Sequence, residues 1–269
     1  MTGGPLTGRT VVVTRARAQA GPLVEALERL GARVLELPAI EIVDPPDWGP
    51  FDAALARLGS YDWVVFTSVN AFERATAHAR VRGVDLVARI SGRAAPRAAA
   101  IGMPTAIRMT GAGVTVNLVA DEPTAEGLVA TLADVGIQGA TVLLPRALEA
   151  REALPEGLRQ AGARVDVVPV YRTIASGADP APVVTALREG TVDFVTLLSA
   201  RTARAFVTAL GLPDGERATL LARTRPVVIG PVTAAAVQKL GFPPAIEALD
   251  ASTAGIVAAV VEATEGFAP

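Results

Sequence analysis

The chain carries two copies of one plan. WVVFTSVNAFERA (63–75) is an apolar strand that runs through Thr67 and Ser68 into a helix, and FVTLLSARTARAF (194–206) repeats that plan 131 positions later. The same offset relates VVVTRARAQAGPLVEALERLGARVLELP (11–38) to VLLPRALEAREALPEGLRQAGARVDVVP (142–169), so that Pro38 answers Pro169. Further on the offset becomes 128: AAIGMPTAIRMTGAG (99–113) matches VVIGPVTAAAVQKLG (227–241), and PTAEGLVATL (123–132) matches STAGIVAAVV (252–261). A repeat this long means that one supersecondary unit of about half the chain has been duplicated.

Each copy alternates four- to six-residue apolar runs with amphipathic segments such as GPLVEALERLG, in which Leu23, Leu27 and Leu30 share a helical face. The strands expected are VVVT, RVLEL, DWVVFT, AAAIG and TVNLV in the first copy. TVLLP, RVDVV, DFVTLL, PVVIG and AIEAL answer them in the second. Helices open on Ser, Thr or Pro and close on Gly, as at Gly31, Gly162 and Gly241. Strands alternating with helices predict an α/β fold with doubly wound parallel sheets. The composition agrees, because 51% hydrophobic residues with only 4% aromatic leave Ala, Val and Leu to build the core. A chain of 269 residues has room for two domains. Two segments break the alternation at equivalent places, LPAIEIVDPP (37–46) and VPVYRTIASGADPAP (168–182), and read as extended connectors between lobes.

Several classes of function are excluded. Without cysteine there is no disulfide, thiolate metal site or thiol nucleophile. A net charge of −2 with scattered basic residues gives no footprint for nucleic acid. The start MTGGPLTGRT is no leader and no apolar run approaches a membrane span, so a cytoplasmic protein is expected. No Walker motif or dinucleotide fingerprint occurs, and GAG (111–113) follows a helix instead of a strand. The one histidine, His78, reads as a solvated residue on a helix surface.

In parallel sheets function gathers at the carboxyl ends of strands. Here those ends carry Arg15, Thr67, Ser68, Gly102, Thr105, Thr124, Arg146, Ser199, Gly230, Thr233, Ser252 and Thr253, with Asn70 just inside a helix. Each Ser or Thr taken alone is explained as an N-cap, and the G-x-P-T and G-P-x-T turns as punctuation. As a set, helix starts offering free amides and dipole ends suit a polyanionic ligand. Arg15 and Arg146, equivalent in the two copies, either fork onto carboxylates or cover the sheet with their stems. Tyr171 in the second connector is either a packed tyrosine bonded to backbone or a proton donor.

The ordered set VVVTR, LELPAIEI, FTSVNAF, AAIGMPTA, PTAEGL, VVPVYRT, FVTLLSARTARAF and VVIGPVTAAA resembles the uroporphyrinogen-III synthase family over residues 9–262. The resemblance implies two flavodoxin-like doubly wound domains joined by a two-stranded linker. One lobe would combine 1–37 with 174–269 and the other would be 43–167, the linker strands lying near 38–42 and 168–173. It also implies a cytoplasmic, monomeric lyase without cofactor or metal. The substrate would be hydroxymethylbilane, a linear tetrapyrrole with eight carboxylates, and ring D would invert on closure with loss of water. Tyr171 would be general acid to the departing hydroxyl, and the other residues named above would hold carboxylates. Lobes on a linker would close around the substrate. Asn70 is matched by Arg201 and Lys239 is the only lysine, so a lysine clamp is not expected. The competing readings are a non-catalytic two-lobed binding protein for a polyanion and an α/β enzyme with a nucleotide or sugar-phosphate ligand.

Overall fold

A computed structural model describes residues 4–92, 95–250 and 252–265. The first copy supplies β1 (Thr10–Val13), α1 (Arg17–Arg29), β2 (Arg33–Glu36), β3 (Ile40–Val43), α2 (Gly49–Ala56), β4 (Trp63–Phe66), α3 (Val69–Val81), α4 (Leu86–Arg89), β5 (Arg97–Ala100), α5 (Met103–Gly111), β6 (Val116–Val119) and α6 (Ala125–Asp134). The second supplies β7 (Thr141–Ala147), α7 (Ala153–Gln160), β8 (Arg164–Ala175), α8 (Ala181–Arg188), β9 (Phe194–Leu197), α9 (Ala200–Ala209), α10 (Asp214–Leu221), β10 (Arg225–Val228), α11 (Pro231–Lys239), β11 (Ile246–Glu247) and α12 (Thr253–Glu265).

The copies do not fold separately. One compact unit comprises 1–41 with 174–269 and the other 42–173. The first unit holds a five-stranded sheet in the order β2-β1-β9-β10-β11, and the second a six-stranded sheet in the order β3-β8-β7-β4-β5-β6. With β3 set aside, both sheets have the flavodoxin-like order 2-1-3-4-5, the first two strands coming from one copy and the other three from its duplicate. Apart from β3, the paired strands are parallel, from β1 on β2 and β9 in one unit to β7 on β4 and β8 in the other.

Central strands are covered on both faces, and alternate residues supply alternate cores. In the second unit Val64, Phe66 and Leu143 lie in one cluster, while Trp63, Val65 and Leu144 lie in the other. In the first unit Val12, Val195 and Val228 face one cluster, and Val11, Val13, Phe194 and Val227 face its opposite. The continuous burial of VVV and WVVF follows from helices on each side.

Equivalent residues fasten the exchanged strands. Asp62 accepts from the Thr141 amide at 2.7 Å, and its duplicate Asp193 accepts from the Thr10 amide at 2.8 Å. Within each copy, the Arg97 guanidinium lies 4.1 Å from the Trp63 ring centre on the adjacent strand, and its duplicate Arg225 lies 4.9 Å from that of Phe194. Each such contact joins strands that are neighbours in one sheet, at the amino ends, opposite the candidate site.

The second connector departs from its expected form. RVDVV and VPVYRT are one strand, β8, and not a strand followed by a separate linker. Its pairing to β7 slips once: Arg146 lies opposite Pro169, and Ala147 opposite Tyr171. Val170 is the extra residue, placed beside the proline that has no amide to give the ladder.

His78 is also not the solvated residue expected. Its ring stacks on Trp48 at 3.8 Å between centroids, and Nε2 lies 2.8 Å from Asp52 Oδ1, which fastens α3 to α2.

Candidate functional site

The bulge in β8 decides where Tyr171 points. Skipping Val170 swings the strand, and the tyrosine hydroxyl ends 3.3 Å from Ser68 Oγ, across the tip of β7. Ser68 is held in turn as the N-cap of α3, accepting from the Ala71 amide at 3.1 Å. The tyrosine ring is 9% exposed and packs in the larger core cluster of its unit. Its hydroxyl therefore meets a side chain, not the backbone partner of the packed-tyrosine reading. Thr67 and Asn70 flank Ser68 and are half-buried.

The remaining turns of this unit are helix starts. Gly102 caps α5 in extended conformation, where a Cβ would come 3.2 Å from Pro123 Cβ. Thr124 caps α6 by accepting from the Gly127 amide at 3.0 Å. A capping hydroxyl that accepts from its own helix keeps a hydrogen to donate.

Arg146 requires a correction. The sequence offers a fork onto a ligand carboxylate or a stem over the sheet edge, but the side chain is only 4% exposed and is spent internally. Nη2 meets Glu152 Oε1 at 2.8 Å and the Ala150 carbonyl, so it braces the loop after β7. Thr105, in the first turn of α5, is 4% exposed as a residue.

The first unit repeats the arrangement with differences. Ser199 caps α9, accepting from the Thr202 amide at 3.0 Å, and its hydroxyl lies 2.8 Å from that of Thr202. Ile40 stands where the other copy has Tyr171, so its own unit offers this serine no counterpart of that phenol. Gly230 caps α11 at φ 151°, a conformation that favours glycine. Thr233, in the first turn of α11, is 7% exposed as a residue. Ser252 accepts from the Gly255 amide at 3.0 Å, which leaves Thr253 as the first residue of α12 and not its cap. Hydrogen bonds from the Ser252 hydroxyl and amide hold the Asp250 carboxyl below the usual carboxylate range. Arg15 is half-buried beyond β1, next to the end of β9, where Thr14 Oγ1 donates to the Thr196 carbonyl at 2.6 Å.

Among the described residues no cluster of histidine and carboxylates could hold a metal ion. No helix among them is long and apolar enough to cross a membrane. The Ser68–Tyr171 pair, 103 residues apart, belongs to no local motif. The one signal of it in the sequence is Pro169, which has no amide to give a ladder.

These features define an α/β protein of the flavodoxin-like class, with capped helix starts, hydroxyls and one phenol at its strand ends. A family model described as uroporphyrinogen-III synthase HemD matches residues 21–258. The uroporphyrinogen-III synthase of Synechococcus elongatus is 29% identical over 95% of this chain and 96% of its own. A putative uroporphyrinogen-III synthase of Methanothermobacter thermautotrophicus is 32% identical over 86% of this chain and 90% of its own. The crystal structure of a mutant uroporphyrinogen III synthase of Thermus thermophilus superposes with a TM-score of 0.65 at 20% identity, covering 96% of this chain and 99% of the other. The chain belongs to the uroporphyrinogen-III synthase family, cyclising lyases of tetrapyrrole biosynthesis.

Proposed function

We propose that the protein closes hydroxymethylbilane to uroporphyrinogen III, with Tyr171 assisting departure of the terminal hydroxyl. The observation that carries this is the Tyr171–Ser68 contact at 3.3 Å, which sets a phenol at the strand ends of a sheet whose other turns offer amides and hydroxyls. Ser68 Oγ accepts from the Ala71 amide, which orients it toward the phenol.

In the first step the pyrrole nitrogen lone pair pushes out the hydroxyl. The C–O bond breaks, the Tyr171 proton goes to the leaving oxygen, and water departs from an azafulvene. The substituted α-carbon of ring D then attacks the freed methylene carbon and forms a spiro intermediate. The bond from that carbon to its original bridge breaks, the bridge rejoins at the other α-carbon of ring D, and loss of a proton restores the pyrrole. A proton lost on aromatisation can return to the phenolate.

The bilane closes unaided to the uninverted isomer, so the protein needs chiefly to hold its conformation. Positioning of this kind is worth several kcal/mol without a strong acid. Thr67, Ser68, Asn70, Thr124 and Ser199 supply hydroxyl or amide donors, Gly102, Gly230 and Thr253 supply backbone at helix starts, and Arg15 a guanidinium. In each unit such groups hold carboxylates of the substrate. Acting alone as a monomer in the cytoplasm is consistent with this chemistry.

The test is incubation with freshly made hydroxymethylbilane, followed by oxidation and separation of uroporphyrin isomers. Isomer III in excess is expected. Isomer I alone, at the spontaneous rate, would overturn the reading.

A further inference from the structure

The slip in β8 has to be held in place, because β7 offers the strand two registers. Arg146 lies opposite Pro169; an unbroken ladder would set Ala147 opposite Val170, whereas the slip sets it opposite Tyr171. A shift of one residue sends a side chain to the other face of its sheet, so the register decides whether the phenol stands 3.3 Å from Ser68 Oγ. Pro169 has no amide to give in either register and does not choose between them.

On the β7 side the choice falls to the loop that follows that strand. The Leu148 amide donates to the Tyr171 carbonyl at 2.8 Å, and Glu149 Oε2 accepts from the Thr173 amide at 3.2 Å, so two consecutive loop residues grip β8 at the tyrosine and two residues on. The loop is itself folded around Arg146. The Ala150 amide donates to the Ala147 carbonyl at 3.2 Å, and Arg146 Nη2 donates to the Ala150 carbonyl and, at 2.8 Å, to Glu152 Oε1. A planar guanidinium whose side chain is 4% exposed makes a rigid post for that turn. The duplicate shows what accompanies the phenol: Arg146 has its twin in Arg15, but Glu149 and Glu152 are answered by Ala18 and Gly21, and Tyr171 by Ile40. Both acids that tie this loop occur in the copy that has the tyrosine and are missing from the copy that does not.

We propose that Arg146, with Glu152 and the loop they fold, is a positioning residue for Tyr171: it fixes the register of β8 in which the phenol stands beside Ser68, and so sets the proton donor against the departing hydroxyl. This rests on the reading of Tyr171 as that donor in closure of the bilane. Arg146 acts without touching the substrate, through the loop and the Leu148 and Glu149 contacts to β8. Such an indirect role can weigh heavily, since misplacing a reacting group by about 1 Å costs about 10²-fold in rate. It also accounts for an arginine that the strand-end pattern offers to a ligand and the fold turns inward.

The test is a double-mutant cycle in the hydroxymethylbilane assay. Arg146→Met removes the guanidinium and keeps an unbranched stem; kcat is expected to fall about tenfold, as far as Tyr171→Phe takes it, with KM within about twofold of wild type and isomer III still the product. Added to Tyr171→Phe, it should lower kcat by less than about twofold further, because a residue that acts through the phenol has nothing left to position. Glu152→Gln keeps an acceptor for Nη2 and should retain most of kcat, whereas Glu152→Ala should lose about threefold or more. Unaltered kcat in Arg146→Met, a raised KM at constant kcat, or the same loss with and without Tyr171→Phe overturns the proposal. Should Arg146→Met not unfold cooperatively on heating, Glu152→Ala, at an exposed side chain, decides on the same terms in the two backgrounds. Full turnover in Tyr171→Phe removes the proton-donor reading beneath this one. A slowed Tyr171→Phe with an independent, additive loss from Arg146→Met removes only the positioning.

Discussion

At the scale of single residues, the phenol and the capping glycines do separable work. Tyr171→Phe deletes one oxygen and keeps the ring in its core cluster, so turnover should fall roughly tenfold while isomer III remains the product. Stopped assays with isomer separation report both quantities, and unaltered turnover would remove the role assigned to this residue. Gly230 and Gly102 occupy twin turns but answer to different constraints. At φ 151° Gly230→Ala forces a side chain into strained backbone, with an expected loss of about 1–3 kcal/mol in urea unfolding. Gly102 is extended, and its alanine variant meets Pro123 Cβ at 3.2 Å and Pro104 Cδ at an ordinary 3.9 Å, so a smaller loss is expected. Both glycines stand out in the sequence. Their difference does not, because backbone angles at a glycine leave no trace in the letters around it.

At the scale of elements, α6 and α12 begin by the same device. Thr124 or Ser252 caps the helix by receiving the amide of Gly127 or Gly255, and the preceding chain folds back over that glycine. A Cβ on Gly127 would lie 2.4 Å from the Glu122 carbonyl oxygen, and one on Gly255 would lie 2.7 Å from that of Asp250. Both contacts are with backbone, which cannot swing aside. Gly127→Ala and Gly255→Ala should each cost about 2–3 kcal/mol, read as a lowered midpoint in thermal or denaturant unfolding; stability within error of wild type would show that the turn yields. The repeated T-A-E-G and S-T-A-G strings make this pair legible. The bulge in β8 is less so: Pro169 marks the place, but where the register slips, and hence that Tyr171 reaches Ser68, depends on how β7 pairs with it.

At the scale of the whole molecule, each sheet needs strands from both copies. A fragment of residues 40–175 holds every strand of the six-stranded sheet, whereas residues 1–134, a complete first copy, hold β1 and β2 without β9 and β4 without β7. The first fragment should unfold cooperatively on heating and give a dispersed amide spectrum. The second should do neither, since its central strands would leave ladders unpaired. Cooperative unfolding of residues 1–134 would show that a copy can satisfy itself.

What the sequence determined by itself is the class of fold and the position of the turns. Apolar runs of four residues between amphipathic helices, repeated at one offset, admit little other than parallel sheets wound on both faces, because only that packing buries such strands completely. The resemblance carried by the order of its motifs pointed to the family. Tertiary structure alone decided which candidate groups are presented and which are consumed. Arg15 and Arg146 are the same letter at the same place in each copy, yet Arg146 is buried against Glu152. Thr105 and Thr233 look like exposed ligand residues and are only 4% and 7% exposed, while His78 looks like a surface residue and stacks on Trp48. The physical reason is common to all four. Periodicity reports which face of an element is apolar, but whether a polar group meets solvent or a partner depends on the loop or helix packed against it, which comes from a distant part of the chain.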